Sequence, residues 1–413
     1  MARPKKGGRQ SRQKKKSAAV IRLTPEVRLK RNLTTHLTSL GFVRQPDGTL
    51  ELPGEDKDTV RALHATQRAD RLLASNDFLK TAWGKFSHHF ADGAEVIPDR
   101  IELRLSRIKA GTWESDLFRL ACMSWSVPVS AGYGRRLRYL VWDAHNDKLA
   151  GVIALGDPVF NLAVRDNLIG WTTADRGLRL VNILDAYVLG AIPPYSHLLG
   201  GKAVACLVRS REIYNHFSRK YGSMEGVISG AKKKAHLLAV TTSSSMGRSS
   251  IYNRLKIGDV QYFQSIGFTE GWGHFHIPDD LFLDMRRYLR TIRHPYADQN
   301  RFGQGPNWRL RSIRAALDAV GYSDAILRHG IKREVFMCQL AENATSILKK
   351  GRGRPNLKSL QHAHEISRAA VERWMIPRAR TRPDFLHWTR EQMLARILGD
   401  GRAHQAASFA STG

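Results

Sequence analysis

Residues 236–255, HLLAVTTSSSMGRSSIYNRL, set five consecutive hydroxyl residues, Thr241 to Ser245, beside an arginine and two further serines. Where an apolar strand hands over to a helix, such residues suit an anion or a nucleic-acid phosphate. Free backbone N–H groups gather at the helix start, serine hydroxyls donate, and Arg248 offers a forked guanidinium. The same hydroxyls also suit plain capping and turn formation, so both readings stand. Ser244, Arg248 and Ser249 are the candidate ligand-binding residues of this stretch.

A second anion candidate is Gly200-Gly201-Lys202, glycines that open a helix after an apolar strand. It is not a P-loop: no glycine lies five residues before Gly201, and Ala203 stands where Ser or Thr is required. His197, just ahead of it, is a candidate general base or anion ligand. SAGYGRRLRY places Tyr133, Arg135, Arg136 and Arg138 beside two glycines. Close backbone approach, a stacking ring and guanidiniums are what a single-stranded nucleic acid needs. Asp143, Asp157, Asp166 and Asp185 lie on or beside strands, and convergent carboxylates would hold Mg²⁺ for phosphodiester cleavage. Asp185, inside an apolar strand, reads equally as a buried acid paired with an arginine. His274 and His276, two apart in GWGHFHI, would point to one face of a strand, but no matching Cys, His or Asp spacing is nearby. No metal site is assigned.

The chain of 413 residues has 66 Lys plus Arg against 37 Asp plus Glu, a net charge of +29. Such an excess favours a polyanionic partner. It is uneven: residues 1–31 hold twelve basic side chains and one acidic, and residues 301–413 hold twenty and nine. The span between is nearly balanced, so the ends are the expected nucleic-acid contacts. No apolar run is long enough to span a bilayer, and the N-terminus lacks the apolar core of a signal peptide. Cys122, Cys206 and Cys338 are widely spaced in apolar contexts and read as buried free thiols in a reducing cytoplasm. A soluble cytoplasmic protein with no membrane partner is the expectation.

These candidates need elements to position them. Residues 1–23 read as a disordered basic arm. Thr24-Pro25-Glu26 signals a helix start, and residues 24–122 read as mainly helical. RRLRYLVWD and KLAGVIALG are strands joined at Ala-His-Asn-Asp, and RLVNILDAYVLGAI is a strand buried on both faces. A long helix, the strand HLLAV, a short helix SSIYNRL and a final strand pair, VQYFQSIGF with GWGHFHI, complete an α/β (α+β) core over residues 123–290. Residues 291–413 read as a basic helical region in which strands cease.

That element order resembles the Gcn5-related N-acetyltransferases, which implies an acetyltransferase-like mixed sheet core flanked by N- and C-terminal helical regions. The resemblance implies acyl-coenzyme A as a possible cofactor, its pyrophosphate held at Gly200 and Gly201. Leu198, however, stands where that family's motif has a cation or amide. The resemblance also places Tyr252 near the family's general-acid tyrosine, and makes Tyr252, Asp185 and His197 the catalytic candidates. A closer likeness covers most of the chain: SVPVSAGYGRRLRYLVWD, GVIALGDPVFNLAVRD, LDAYVLGAIPPYSHLLGGKAVACLVRS, TTSSSMGRSSIYNRL, GFTEGWGHFHIP and ERWMIPRA are similar to the DruA family, the A component of the Druantia anti-phage defence system. It implies work in defence beside other Druantia components, including a large helicase-like protein, and supplies no catalytic residue. Three function classes follow: a nucleic-acid-binding defence subunit, an acyltransferase-like enzyme modifying bases, and a metal-dependent nuclease.

Overall fold

The computed structural model describes residues 23–54, 56–130, 132, 134–225, 232–298 and 306–399; residues 1–22 of the basic arm and Tyr133 lie outside the described residues. Eight strands of the described residues form one mixed sheet. They are β1 (Leu103–Arg107), β2 (Arg136–Asp143), β3 (Lys148–Gly156), β4 (Ile183–Ala191), β5 (Ala239–Ser243), β6 (Leu255–Ile257), β7 (Val260–Phe268) and β8 (Glu334–Gln339). Their spatial order is β6-β7-β8-β5-β4-β3-β2-β1. Every neighbouring pair is antiparallel except β4 and β5, which run parallel.

The β2–β3 hairpin follows from its turn chemistry. Asp147 takes the left-handed conformation (φ 54°), and the Asn146 side chain accepts a hydrogen bond from Lys148 N at 3.1 Å. Strand alternation then sorts the apolar residues between two cores. Ile153, Leu155, Leu184 and Leu189 face a layer with Val204, Leu207 and Phe217. Val152, Ala154, Val188 and Ile192 face a layer with Trp83, Leu117 and Ile397. The helix Pro25–Ser39 begins as its sequence requires, with the Thr24 hydroxyl accepting from Val27 N at 3.3 Å. Its Leu29, Leu33 and Leu37 join Met285, Ile313 and Leu327 in a third core, so an N-terminal helix packs on C-terminal ones. The three cysteines are free and buried.

Three expectations are corrected. β8, in the region where strands are expected to cease, sits near the centre of the sheet, whereas residues 24–122 are mainly helical with β1 among them. EVFMCQ of β8 is a short apolar run, which periodicity alone does not separate from helix, and LRLSR of β1 is only five residues long. The sheet therefore draws on residues from 103 to 339, across the expected boundaries at 122 and 290. The segment around GWGHFHI is a turn, because Gly271 (φ +69°) and Gly273 (φ +159°) bend it out of strand geometry. SSIYNRL is also a turn, ending in Arg254 at φ 56°.

Parallel pairing between β4 and β5 is confined to three residue pairs, Ile183–Asp185 with Ala239–Thr241. β4 then continues to Ala191 and β5 to Ser243. Beyond Asp185 the Thr242 hydroxyl, donating to Ala186 O at 2.9 Å, takes the place of a backbone ladder.

Candidate functional site

The two threonines of the hydroxyl run are used within the fold. Thr241 donates to Asp185 Oδ1 at 2.8 Å, and Ser244 N donates to Glu334 O at 2.8 Å. Ser249 Oγ accepts from Ile251 N and Tyr252 N at 3.1 and 3.2 Å, which caps the following turn. Tyr252 is buried, donates its phenol to Leu189 O at 3.2 Å and packs between Phe263 and Phe336. Burial pushes its phenol far above the ordinary range. Arg248 is exposed to solvent.

The glycine turn meets this stretch directly, not across a cleft. Lys202 Nζ donates to Ile251 O and Asn253 O at 3.0 and 3.2 Å, which ties the two turns together. A Cβ on Gly200 would lie 2.5 Å from Tyr195 O, so this glycine is required by backbone packing. A Cβ on Gly201 would meet Ile251 Cδ1 at 3.4 Å. Leu198 is fully buried and brings no donor. Residues with the space above Gly201 filled and the lysine already bonded do not fit the pyrophosphate of coenzyme A. His197 is exposed, with its ring edge-on to Trp388 at 5.2 Å and its imidazole pKa lowered, chiefly by burial.

The carboxylates do not converge. Asp143 stands at the hairpin end of β2, accepting from Tyr195 Oη at 3.0 Å and from Glu102 N and His145 N. Asp157 stands beyond the opposite end of β3 and accepts from Arg135 Nε at 2.7 Å and Arg135 N at 2.9 Å. Asp166 is paired with fully buried Arg165 and with Arg176, both at 2.8 Å. Asp185, like Asp143, is in none of the ion pairs of the described residues; burial pushes its carboxyl up to about 6, against the Thr241 hydrogen bond and the charge of Arg165. The convergent carboxylates of a nuclease are therefore corrected: Asp143 is set apart by the length of the hairpin strands, Asp157 and Asp185 stand at the other end, where Gly156 pairs with Asp185, and each carboxylate is bound to different partners. Among the described residues no group of three or more His, Cys, Asp or Glu side chains could hold a metal ion. His276 lies in the turn, not on a strand, with Nε2 within 3.1 Å of Ile326 O.

Of the arginines beside the glycine pair, Arg135 is buried and bonded to Asp157, Val181 O and Ile183 O. Arg138 reaches Ser115 Oγ at 3.2 Å and the face of Phe118. Arg136 is different. It lies exposed at the start of β2, on the wall of a cavity of about 500 Å³ with Arg107, Lys109, His216, Arg219 and Lys220. No carboxylate lines that cavity. Arg107 ends β1 and Lys109 follows it. His216, Arg219 and Lys220 stand at i, i+3 and i+4 of the helix Arg211–Tyr221, which puts all three on one face. His216 Nδ1 lies 3.2 Å from Tyr139 Oη, and burial, with the charges of Arg107 and Arg219, holds its pKa below the ordinary value. Five cations around one concavity make an anion-attracting surface. Sequence reading found only Arg136 among them; the cationic face of NHFSRKY was a signal available for two of the others, Arg219 and Lys220.

A family model described as Druantia protein DruA matches residues 54–350. A protein of Escherichia coli (strain UMEA 4076-1) described as Druantia protein DruA is 58% identical over 375 residues, which are 91% of this chain and 93% of that protein. No solved structure matches the chain.

Proposed function

Since the chain belongs to the DruA family, we propose that it is the nucleic-acid-binding component of a Druantia anti-phage defence system, working beside other Druantia components that include a helicase-like protein. The observation that carries this reading is the cavity ringed by Arg107, Lys109, Arg136, Arg219 and Lys220 without a carboxylate. Exposed guanidiniums and ammoniums held within one concavity suit the phosphates of a strand, and they add to a chain charge of +29. Phosphate contacts of this kind position a protein without reading sequence, so sequence-independent binding is expected. The paired substitution Lys109→Glu and Arg219→Glu alters exposed side chains only. It should abolish phage protection with the melting temperature unchanged. Protection equal to wild type would remove the cavity from the mechanism.

A second reading, an enzyme that modifies nucleic-acid bases without coenzyme A at the glycine turn, draws support from the parting of β4 and β5 at Asp185. A carboxyl near 6, hydrogen-bonded to Thr241, has the pKa of a working general base. Mass spectrometry of nucleosides from infected cells tests it: a mass change lost in Asp185→Asn supports the enzyme, and unmodified nucleosides remove it.

A further inference from the structure

On another side of the molecule a cavity of about 440 Å³ opens between the helix Ala65–Leu73, the turn around Trp272 and His274, and the segment leading into β8. Its size falls in the range of about 300–1,000 Å³ typical of small-molecule sites. Arg333 lines it, and none of the ion pairs of the described residues includes this side chain. Its Nε–H is buried with no acceptor, and burial alone lowers its pKa. An unpaired guanidinium in such a place is costly unless an anion completes it.

His329, also on the wall, supplies a second donor. Its Nδ1 accepts from Ile331 N at 3.1 Å, so the neutral ring carries its proton on Nε2. That atom lies toward Gly273 of the cavity wall, 3.4 Å from where a Cβ there would stand. Burial holds His329 at about 3 and His274 at about 4, so both rings are neutral near pH 7. The wall's acids are partly answered: Asp279 is bonded to Arg309 at 2.5 Å, and burial, with the charges of Asp279 and Asp280, raises the Asp70 carboxyl. Trp272, 42% exposed, stands on the same wall, with the Arg314 guanidinium over its ring at 5.0 Å from the centroid.

We propose that this cavity binds the phosphate of a nucleotide between Arg333 and His329, with the base stacked on Trp272. A free nucleotide and the phosphorylated end of a strand present the same chemistry. The site is independent of the basic cavity proposed above, and a base on an exposed tryptophan follows the usual physics of stacking.

The full chain is titrated calorimetrically with adenosine 5′-monophosphate, inorganic phosphate, and one short oligonucleotide carrying either a 5′-phosphate or a 5′-hydroxyl. Wild type should bind the mononucleotide at least tenfold more tightly than inorganic phosphate if the source is free nucleotide. It should prefer the phosphorylated oligonucleotide at least tenfold if the source is a strand end. Arg333→Met should remove either preference, and Trp272→Ala, which changes an exposed ring, should weaken the same ligand at least fivefold. Lys109→Gln with Arg219→Gln should leave these preferences intact, which separates this site from the basic cavity. Without ligand, Arg333→Met should melt no lower than wild type, since it removes an unpaired buried charge. Absence of both preferences in wild type, or their survival in Arg333→Met and Trp272→Ala, overturns the proposal.

Discussion

Arg165 has no solvent exposure, and its guanidinium is distributed among Asp166 Oδ1, Val159 O and Phe160 O at 2.9 Å each. Arg176 reaches the other oxygen of Asp166 at 2.8 Å. Neutralising the shared carboxylate leaves a buried cation without a counter-charge, so Asp166→Asn should destabilise by about 3–5 kcal/mol. Denaturant unfolding checks this, and a shift under about 1 kcal/mol would show that carbonyls alone satisfy Arg165. Histidines set the pH response. His64 and His274 are held at about 4, and His276 and His329 at about 3, each mainly by burial. The unfolded rings titrate near 6.5. These depressed values contribute stability that is complete above about 6.5 and lost as pH falls toward 4, because the unfolded chain then binds protons that the folded chain refuses. Asp185, raised to about 6, works in the opposite sense over the same window, as do the raised carboxyls of Asp143 and Asp70, against five imidazoles that include His89 at about 4. Melting temperature should therefore fall steadily from pH 6.5 to pH 4.5; a flat profile contradicts the buried neutral cluster.

Elements carry the next prediction. Gly134 sits at φ +64°, and a Cβ there would stand 1.9 Å from Asp157 Oδ2. That glycine lets the chain pass beside the carboxylate that fixes Arg135 under the start of β2. Gly134→Ala should destabilise by about 2 kcal/mol or more, through backbone strain and displacement of the Arg135–Asp157 pair. A melting temperature within a degree of wild type contradicts that role. Elements with local signals were legible in the sequence: the β2–β3 hairpin from its alternation and Asn-Asp turn, and the helix Pro25–Ser39 from Thr24-Pro25-Glu26. Where identity depended on the rest of the fold, reading failed. EVFMCQ is a strand because β5 and β7 flank it, and nothing within six residues says so. The site was less legible still. Arg107, Lys109, Arg136 and Arg219 are separated along the chain and meet only because β1 and β2 are paired beside one helix face. Residues singled out for their local company, Arg135, Ser249 and Lys202, are the ones whose polar groups the fold itself uses.

At the scale of the whole molecule the basic excess includes a concave face on the folded body, a dense run within residues 1–22, and the twenty basic against nine acidic side chains of residues 301–413. None of the described helices is long and apolar enough to cross a membrane. The run and the cavity should both contribute to binding, the run through many exchangeable contacts and the cavity through cations held in place. Deleting residues 1–22 should flatten the salt dependence of binding by several units, since each phosphate neutralised contributes about −0.9 for duplex DNA. An unchanged slope would leave that segment outside the contact. The most direct measurement is the slope of log affinity against log salt for a labelled DNA, with wild type compared to Lys109→Gln combined with Arg219→Gln. If the cavity holds phosphate, the paired variant should bind more weakly and its slope should be shallower by about 1.8 for duplex or about 1.4 for a single strand. Equal affinity and equal slope for the two proteins would contradict nucleic-acid binding through this face.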